Sequence, residues 1–84
     1  MKRVDLELCI AALQRLAKKP CRYEELRKCL AQESKTPGRV SRVIRVLHKN
    51  GWIVKEGPQR SRAPYRITEK GLLFLRSMVN NRSQ

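Results

Sequence analysis

The segment from Lys35 to Gly51, KTPGRVSRVIRVLHKNG, limits what this chain can fold into more than any other stretch. Its apolar residues recur at the spacing of one helical face, at Val40, Val43, Ile44 and Leu47. The other side carries basic or hydrogen-bonding residues, and the segment contains no carboxylate; these residues are Arg39, Ser41, Arg42, Arg45 and Lys49. Thr36 followed by Pro37 predicts the start of this helix, and Asn50-Gly51 predicts its end. Such a helix must bury its apolar stripe in a core and leave its cationic side outside.

The net charge indicates a polyanionic partner. The 84 residues include 20 lysines and arginines against 7 acidic residues, which gives +13. The excess is concentrated in residues 35–66, where nine basic residues accompany one acidic residue. DNA, RNA and an anionic membrane surface all carry the matching charge. With 40% apolar residues the chain is too hydrophobic for a disordered basic tail, so we expect a single domain over residues 1–84, with 79–84 as a frayed tail.

Residues that support catalysis or metal binding are sparse. The chain has one histidine, His48, no Ser/His/Asp-type set and no glycine-rich phosphate loop, so we expect no enzyme activity and no cofactor. Its three cysteines, Cys9, Cys21 and Cys29, lack the CxxC spacing of a zinc site. We expect them to pack as small apolar residues. The alternative for Cys9 is a disulfide with another cysteine across the core or across a dimer. No apolar run is as long as a membrane span and no signal peptide is evident, which predicts a cytoplasmic protein.

Two helices are predicted before the central one. The periodicity predicts the first over residues 5–18 and the second over residues 23–30, with Pro20-Cys21-Arg22 between them as a very short strand. Residues 31–35 are predicted to form a connecting turn, which gives a helix-turn-helix pattern with the cationic helix second.

A β-hairpin and a last helix are predicted after Gly51. Strands over residues 52–56 and 63–68 flank a turn that carries Arg60 and Arg62, and Trp52 is expected to pack at the hairpin root. Thr68 is expected to cap a helix over residues 69–79. The predicted class is therefore α+β.

The order helix, short strand, helix, helix, hairpin, helix resembles the winged helix-turn-helix family. The segments that carry the resemblance are RYEELRKCL, RVIRVLHKNGWIVKEG and PYRITEKGLLFL. The first is similar to the second helix of HxlR-like regulators, and the last looks like the wing-to-helix junction of small bacterial and archaeal regulators. The short chain looks closest to small archaeal or archaeal-virus regulators of the HxlR-like or MarR-like type. The resemblance implies a three-helix core, a β-hairpin wing and a C-terminal helix.

The resemblance also implies a site on double-stranded DNA. The third helix would enter the major groove, while the wing would lie along the backbone or a minor groove. The residues expected to contact DNA are Lys35, Thr36, Arg39, Ser41, Arg42, Arg45, Lys49, Arg60 and Arg62. Among them, arginine can pair bidentately with guanine, whereas Lys35, Thr36 and Lys49 suit phosphate.

The apolar faces of the first and last helices are broad enough to suggest a homodimer. Two-fold symmetric operators are usually read by two-fold symmetric proteins, and we expect Leu6, Ile10, Leu72 and Leu75 at the interface. The favoured function is a dimeric transcriptional repressor without a small-molecule ligand or membrane partner. The alternatives are a sequence-indifferent DNA- or RNA-coating protein and a winged-helix subunit that binds other proteins.

Overall fold

The computed structural model of the protein describes residues 3–33, 37–57 and 63–82. The described residues form α1 (Arg3–Lys18), α2 (Tyr23–Glu33), a 3₁₀ turn (Pro37–Arg39), α3 (Val40–Lys49), β1 (Ile53–Lys55), β2 (Tyr65–Ile67) and α4 (Glu69–Arg82). The predicted α+β class is confirmed, and the arrangement is consistent with a winged-helix-like fold.

All four described α-helices differ from their predicted limits. The second helix continues through residues 31–33, which were predicted as a turn, because alanine, glutamine and glutamate all favour helix. The last helix likewise continues to Arg82, and the first begins at Arg3. The third helix begins later than predicted, after a 3₁₀ turn, and the side chain of Arg39, the residue before it, makes no capping hydrogen bond. Thr36, the predicted cap, lies outside the described residues.

The core surrounds the first helix and buries the predicted stripe of α3. Val40, Val43, Ile44 and Leu47 are each at most 2% exposed, which confirms that stripe. They pack with buried side chains of the other elements, including Leu8, Cys9, Ala12, Leu13, Leu16, Cys21, Leu26, Leu30 and Ile53. Because the whole stripe is buried, the orientation of α3 about its axis is fixed.

The inward face of α4 is formed by a glycine and three larger apolar residues. Leu72 and Val79 lie outside this face and are 38% and 37% exposed. The inward positions are instead taken by Gly71, which is buried, and by the half-buried Phe74, Leu75 and Met78. Gly71 therefore occupies the point where α4 comes closest to the Trp52 carbonyl and the Ile67 side chain.

The hairpin is joined to the start of α2 through one residue. Strands β1 and β2 pair antiparallel with Ile53 opposite Ile67 and Lys55 opposite Tyr65. Cys21 adds an isolated bridge to Tyr65, in which the Cys21 amide donates to the Tyr65 carbonyl at 3.2 Å and the Tyr65 amide donates to the Cys21 carbonyl at 2.7 Å. The predicted short strand is therefore present as a single bridge, and it fixes the hairpin against the helical core.

The turn after α3 also holds the start of α4. Gly51 has a φ of 76°, and its amide and that of Trp52 donate to the carbonyls of His48 and Leu47, each at 3.1 Å. This is the left-handed helix stop predicted from the sequence. The Thr68 hydroxyl donates to the Gly51 carbonyl at 2.6 Å and accepts the Gly71 amide at 3.1 Å, so the predicted cap of α4 is confirmed and is tied to the end of α3.

Replacing Gly71 with alanine should destabilise the protein by about 1–3 kcal/mol, the usual cost of overpacking. A Cβ at this position would overlap the Trp52 carbonyl oxygen and lie 2.9 Å from Cγ1 of Ile67. The carbonyl cannot retreat freely, because it accepts the Thr68 amide at 3.0 Å. This clash should exceed the gain of about 1 kcal/mol in helix propensity. The free energy of unfolding in urea measures the effect.

The matched control is Gly38→Ala, because a Cβ there would meet no atom within 4 Å. It should leave stability within about 1 kcal/mol of the wild type. Equal stability of the two variants would contradict the close approach at Gly71.

Candidate nucleic-acid interface

The outward side of α3 carries three exposed cations. Arg42, Arg45 and Lys49 lie opposite the buried stripe and are all exposed. Within the part of the chain that the structure describes, none of the three takes part in an ion pair. The predicted separation of the helix into an apolar inner side and a cationic outer side is therefore present.

One flank of this surface is joined to α1 through Arg39. The Nη1 atom of Arg39 donates to both carboxylate oxygens of Asp5, at 2.9 and 3.1 Å. The two side chains are 29% and 14% exposed, so the pair is largely withdrawn from solvent. Arg39, predicted to face the groove, is thus engaged within the chain and lies in the turn before α3.

The opposite flank faces α2 and the hairpin. The Tyr23 hydroxyl donates to Oγ of Ser41 at 3.1 Å, so the predicted groove residue Ser41 is also engaged and half-buried. The rings of His48 and Tyr65 are arranged edge to face with their centroids 5.9 Å apart, and the ring centroids of Tyr65 and Tyr23 are 6.4 Å apart. His48 is exposed.

Two concave regions border these flanks. A groove of about 240 Å³ is lined by Tyr23, Ser41, Ile44, Arg45, His48 and Tyr65. A larger cleft of about 670 Å³ lies between the start of α2 and the hairpin. Glu24 and Glu25 line that cleft beside Arg22 and Lys55, so its charge is mixed. The larger cleft is therefore the poorer surface for a polyanion, and α3 is the better one.

A small cavity lies between α1 and α3. It measures about 180 Å³ and is lined by Asp5, Cys9, Arg42, Val43 and Val46. Burial and the adjacent Asp5 carboxylate raise the pKa of the Cys9 thiol from its ordinary 9.0 to about 11. All three cysteines are free thiols, with Cys9 and Cys21 buried and Cys29 half-buried. Among the described residues, no three His, Cys, Asp or Glu side chains are grouped as metal ligands would be.

The remaining predicted site residues fall into two groups. Lys35, Thr36, Arg60 and Arg62 lie outside the described residues. In the predicted dimer set, Ile10 is only 3% exposed, Leu6 and Leu75 are half-buried, and Leu72 is exposed. Trp52 stacks on Phe74 with ring centroids 4.0 Å apart, as expected for packing at the hairpin root.

Sequence reasoning missed Asp5 and Tyr23 as residues of this surface. Asp5 lies in the first turn of α1, and Tyr23 is the first residue of α2. Their partners on and beside α3 are 34 and 18 residues away along the chain. The available signal was charge: the Lys35–Gly51 segment contains no carboxylate, so a partner for its arginines had to come from another element.

The fold is shared with solved structures of proteins described in terms of transcription. One is the crystal structure of TM0937, a conserved protein of unknown function described as a potential transcriptional factor; it has 27% identity and a TM-score of 0.77, over 99% of this chain and 81% of that one. Another is TA0346 from Thermoplasma acidophilum, a proposed transcriptional regulator, with 20% identity and a TM-score of 0.66, over 94% of this chain and 86% of that one. No protein-family model and no curated protein matches the chain. Within the described residues, no helix combines the length and apolar character needed to span a bilayer.

The cysteine that is less buried should react faster with an alkylating reagent than the buried ones. At about pH 8, iodoacetamide should modify the half-buried Cys29 first, whereas Cys9 should react only after unfolding. Because the pKa of the Cys9 thiol is higher in the folded state than in the unfolded state, its contribution to stability is fully present below pH 9.0. That contribution is lost as the pH rises toward about 11. Peptide mass spectrometry of partially modified protein gives the order of reaction. Modification of Cys9 as fast as Cys29 in folded protein would contradict its burial.

Proposed function

We propose that this protein is a double-stranded DNA-binding transcription regulator of the winged helix-turn-helix type. Helix α3 would lie in the major groove, and the hairpin wing, with Arg60 and Arg62, would lie on the backbone or in a minor groove. The observation that carries the proposal is the outward row of Arg42, Arg45 and Lys49, exposed and without an ion pair among the described residues.

The chemistry of this row suits DNA. A major groove admits one α-helix, and each arginine side chain can donate two hydrogen bonds to O6 and N7 of a guanine. Arg42 and Arg45 are three residues apart, so both point from the same side of the helix. Lys49 lies near the end of α3 and is better suited to a phosphate. Lys35 and Thr36 would contribute phosphate contacts near the start of the helix.

We further propose a homodimeric repressor that blocks access to a promoter. Two proteins that share this fold are described as a potential or proposed transcription regulator. The dimer surface would be the edge of α4 around Leu72 and Leu75, continued by Leu6 of α1. Ile10 is almost wholly buried within the chain, so it would support this edge from beneath.

Selection of duplexes from a random pool, followed by competition, tests the proposal. A regulator should enrich a defined, two-fold symmetric sequence and retain it against an excess of unrelated duplex. The net charge of +13 favours a second candidate, a sequence-indifferent nucleic-acid-coating protein. That protein would enrich no sequence and would be displaced equally by any duplex or RNA.

Replacing Arg42 with alanine should weaken binding to the selected duplex by about 1–3 kcal/mol and change binding to unrelated duplex much less. The reason is the loss of a bidentate contact to one base. The control is Arg76→Ala, which removes the same charge from an exposed position on α4. Fluorescence anisotropy with both duplexes measures the effect. Equal losses on both would make Arg42 a phosphate contact.

Replacing Leu72 with lysine should convert a dimer into a monomer, because the substitution places a charge in the proposed apolar interface. The control is Leu73→Lys: Leu73 is 61% exposed and lies about 100° around the helix from Leu72. Sedimentation velocity at tens of micromolar distinguishes the two species. A wild-type protein that sediments only as a monomer would remove the dimer from the proposal.

A further inference from the structure

The ion pair between Asp5 and Arg39 joins the start of α3 to the start of α1. Asp5 lies in the first turn of α1, and Arg39 is the residue directly before α3. One guanidinium nitrogen contacts both oxygens of the carboxylate, at 2.9 and 3.1 Å. These atoms connect positions that are 34 residues apart in the sequence.

This contact acts at a sensitive point of the helix. The carbonyl of the residue before a helix accepts its first internal hydrogen bond, so holding Arg39 also holds the first turn of α3. The other flank is held two residues further along the chain, where Tyr23 of α2 donates to Ser41. Between the two contacts lie the directions in which Arg42 and Arg45 project. A side chain that reads a base stays in the productive geometry only when surrounding contacts fix its backbone to a fraction of an ångström.

We propose that Arg39 is a positioning residue: its pairing with Asp5 holds the first turn of α3 in place, while burial of the apolar stripe sets the rotation of the helix, and base reading falls to Arg42 and Arg45. The inference rests on the proposed DNA-binding function and divides its predicted contact residues into two roles. Moving Arg39 onto DNA would leave the Asp5 carboxylate, only 14% exposed, unpaired and close to phosphates. A carboxylate in that situation repels the DNA, so the pair is kept in the complex.

Substitution of Asp5 distinguishes a positioning role of Arg39 from direct contact with DNA, because the two roles predict opposite effects on binding to the selected duplex. If Arg39 positions α3, Asp5→Asn loosens the helix and lowers the preference for the selected duplex over an unrelated one. If Arg39 contacts DNA, Asp5→Asn frees a cation and removes an anion, so binding to the selected duplex strengthens. Net charge alone cannot produce the first result.

The experiment compares Asp5→Asn, Arg39→Gln and the double variant, each with the full chain. We expect each to reduce the preference for the selected duplex about tenfold, with the double variant no worse than either single one, as for two groups that act as a unit. Arg39→Gln should leave the slope of log K against log salt unchanged, whereas loss of a phosphate contact lowers it by about 0.9. The control Glu25→Gln removes an exposed carboxylate from the first turn of α2 and should keep the preference.

Two results would overturn the proposal. One is an unchanged or increased preference in Asp5→Asn, and the other is a reduced salt slope in Arg39→Gln. Should a single variant fail to fold, the double variant leaves no unpaired charge and its salt slope carries the test: an unchanged slope supports the positioning role, and a slope lower by about 0.9 overturns it.

Amide hydrogen exchange separates failure of this inference from failure of the proposed function. The Val43 and Ile44 amides close the first hydrogen-bonded turn of α3, and they should exchange faster in Asp5→Asn and Arg39→Gln than in the wild type or Glu25→Gln. This readout needs no DNA. A wild type that enriches no duplex would refute the proposed function alone, while unchanged exchange in both variants would refute the positioning role alone.

Discussion

Burial of one side of α3 is the interaction on which the rest of the structure depends. Val40, Val43, Ile44 and Leu47 are the central helix's whole contribution to the core, and each stabilises the fold by about 1.5–3 kcal/mol. Repulsion between cations three or four residues apart on the other side costs only a few tenths of a kcal/mol per pair. Burial therefore decides the orientation of the helix. Because apolar and basic positions are interleaved in ten residues, burying the first set forces Arg42, Arg45 and Lys49 outward.

Carboxylates are absent from the outward, cationic side of α3. A surface helix is ordinarily relieved of like-charge repulsion by acidic residues on its own exposed face, and this helix has none. Asp5 reaches only its starting turn, and Glu56 pairs instead with Arg66 on the hairpin at 3.2 Å. The repulsion along the outward row is therefore left for a polyanion to relieve, so binding one would also stabilise the fold.

The local parts of this fold could be predicted from the sequence because their causes are local. The period of Val40 to Leu47 identified the buried stripe, and Gly51 and Thr68 marked a helix stop and a helix cap through the conformation and the hydroxyl they supply. Features that depend on contacts between distant segments were not accessible. Periodicity alone could not reveal that Gly71 packs so closely against the Trp52 carbonyl that a Cβ there would overlap it. For the same reason Arg39 was read as part of a cationic face, although its partner is in α1.

Helix α3 is held at both ends by different kinds of contact. At its start a charged hydrogen-bonded pair connects it to α1, and at its end the Gly51 turn, the Thr68 hydroxyl and the stack of Trp52 on Phe74 connect it to α4. The contacts at the end are hydrogen bonds and ring packing, which salt hardly weakens, whereas the pair at the start is electrostatic and, although largely withdrawn from solvent, keeps some exposure to dissolved ions. The first turn of α3 is therefore its more adjustable end. Since Arg42 lies in that turn and Lys49 lies at the far end, a shift of the pair would redirect the arginine and leave the lysine in place.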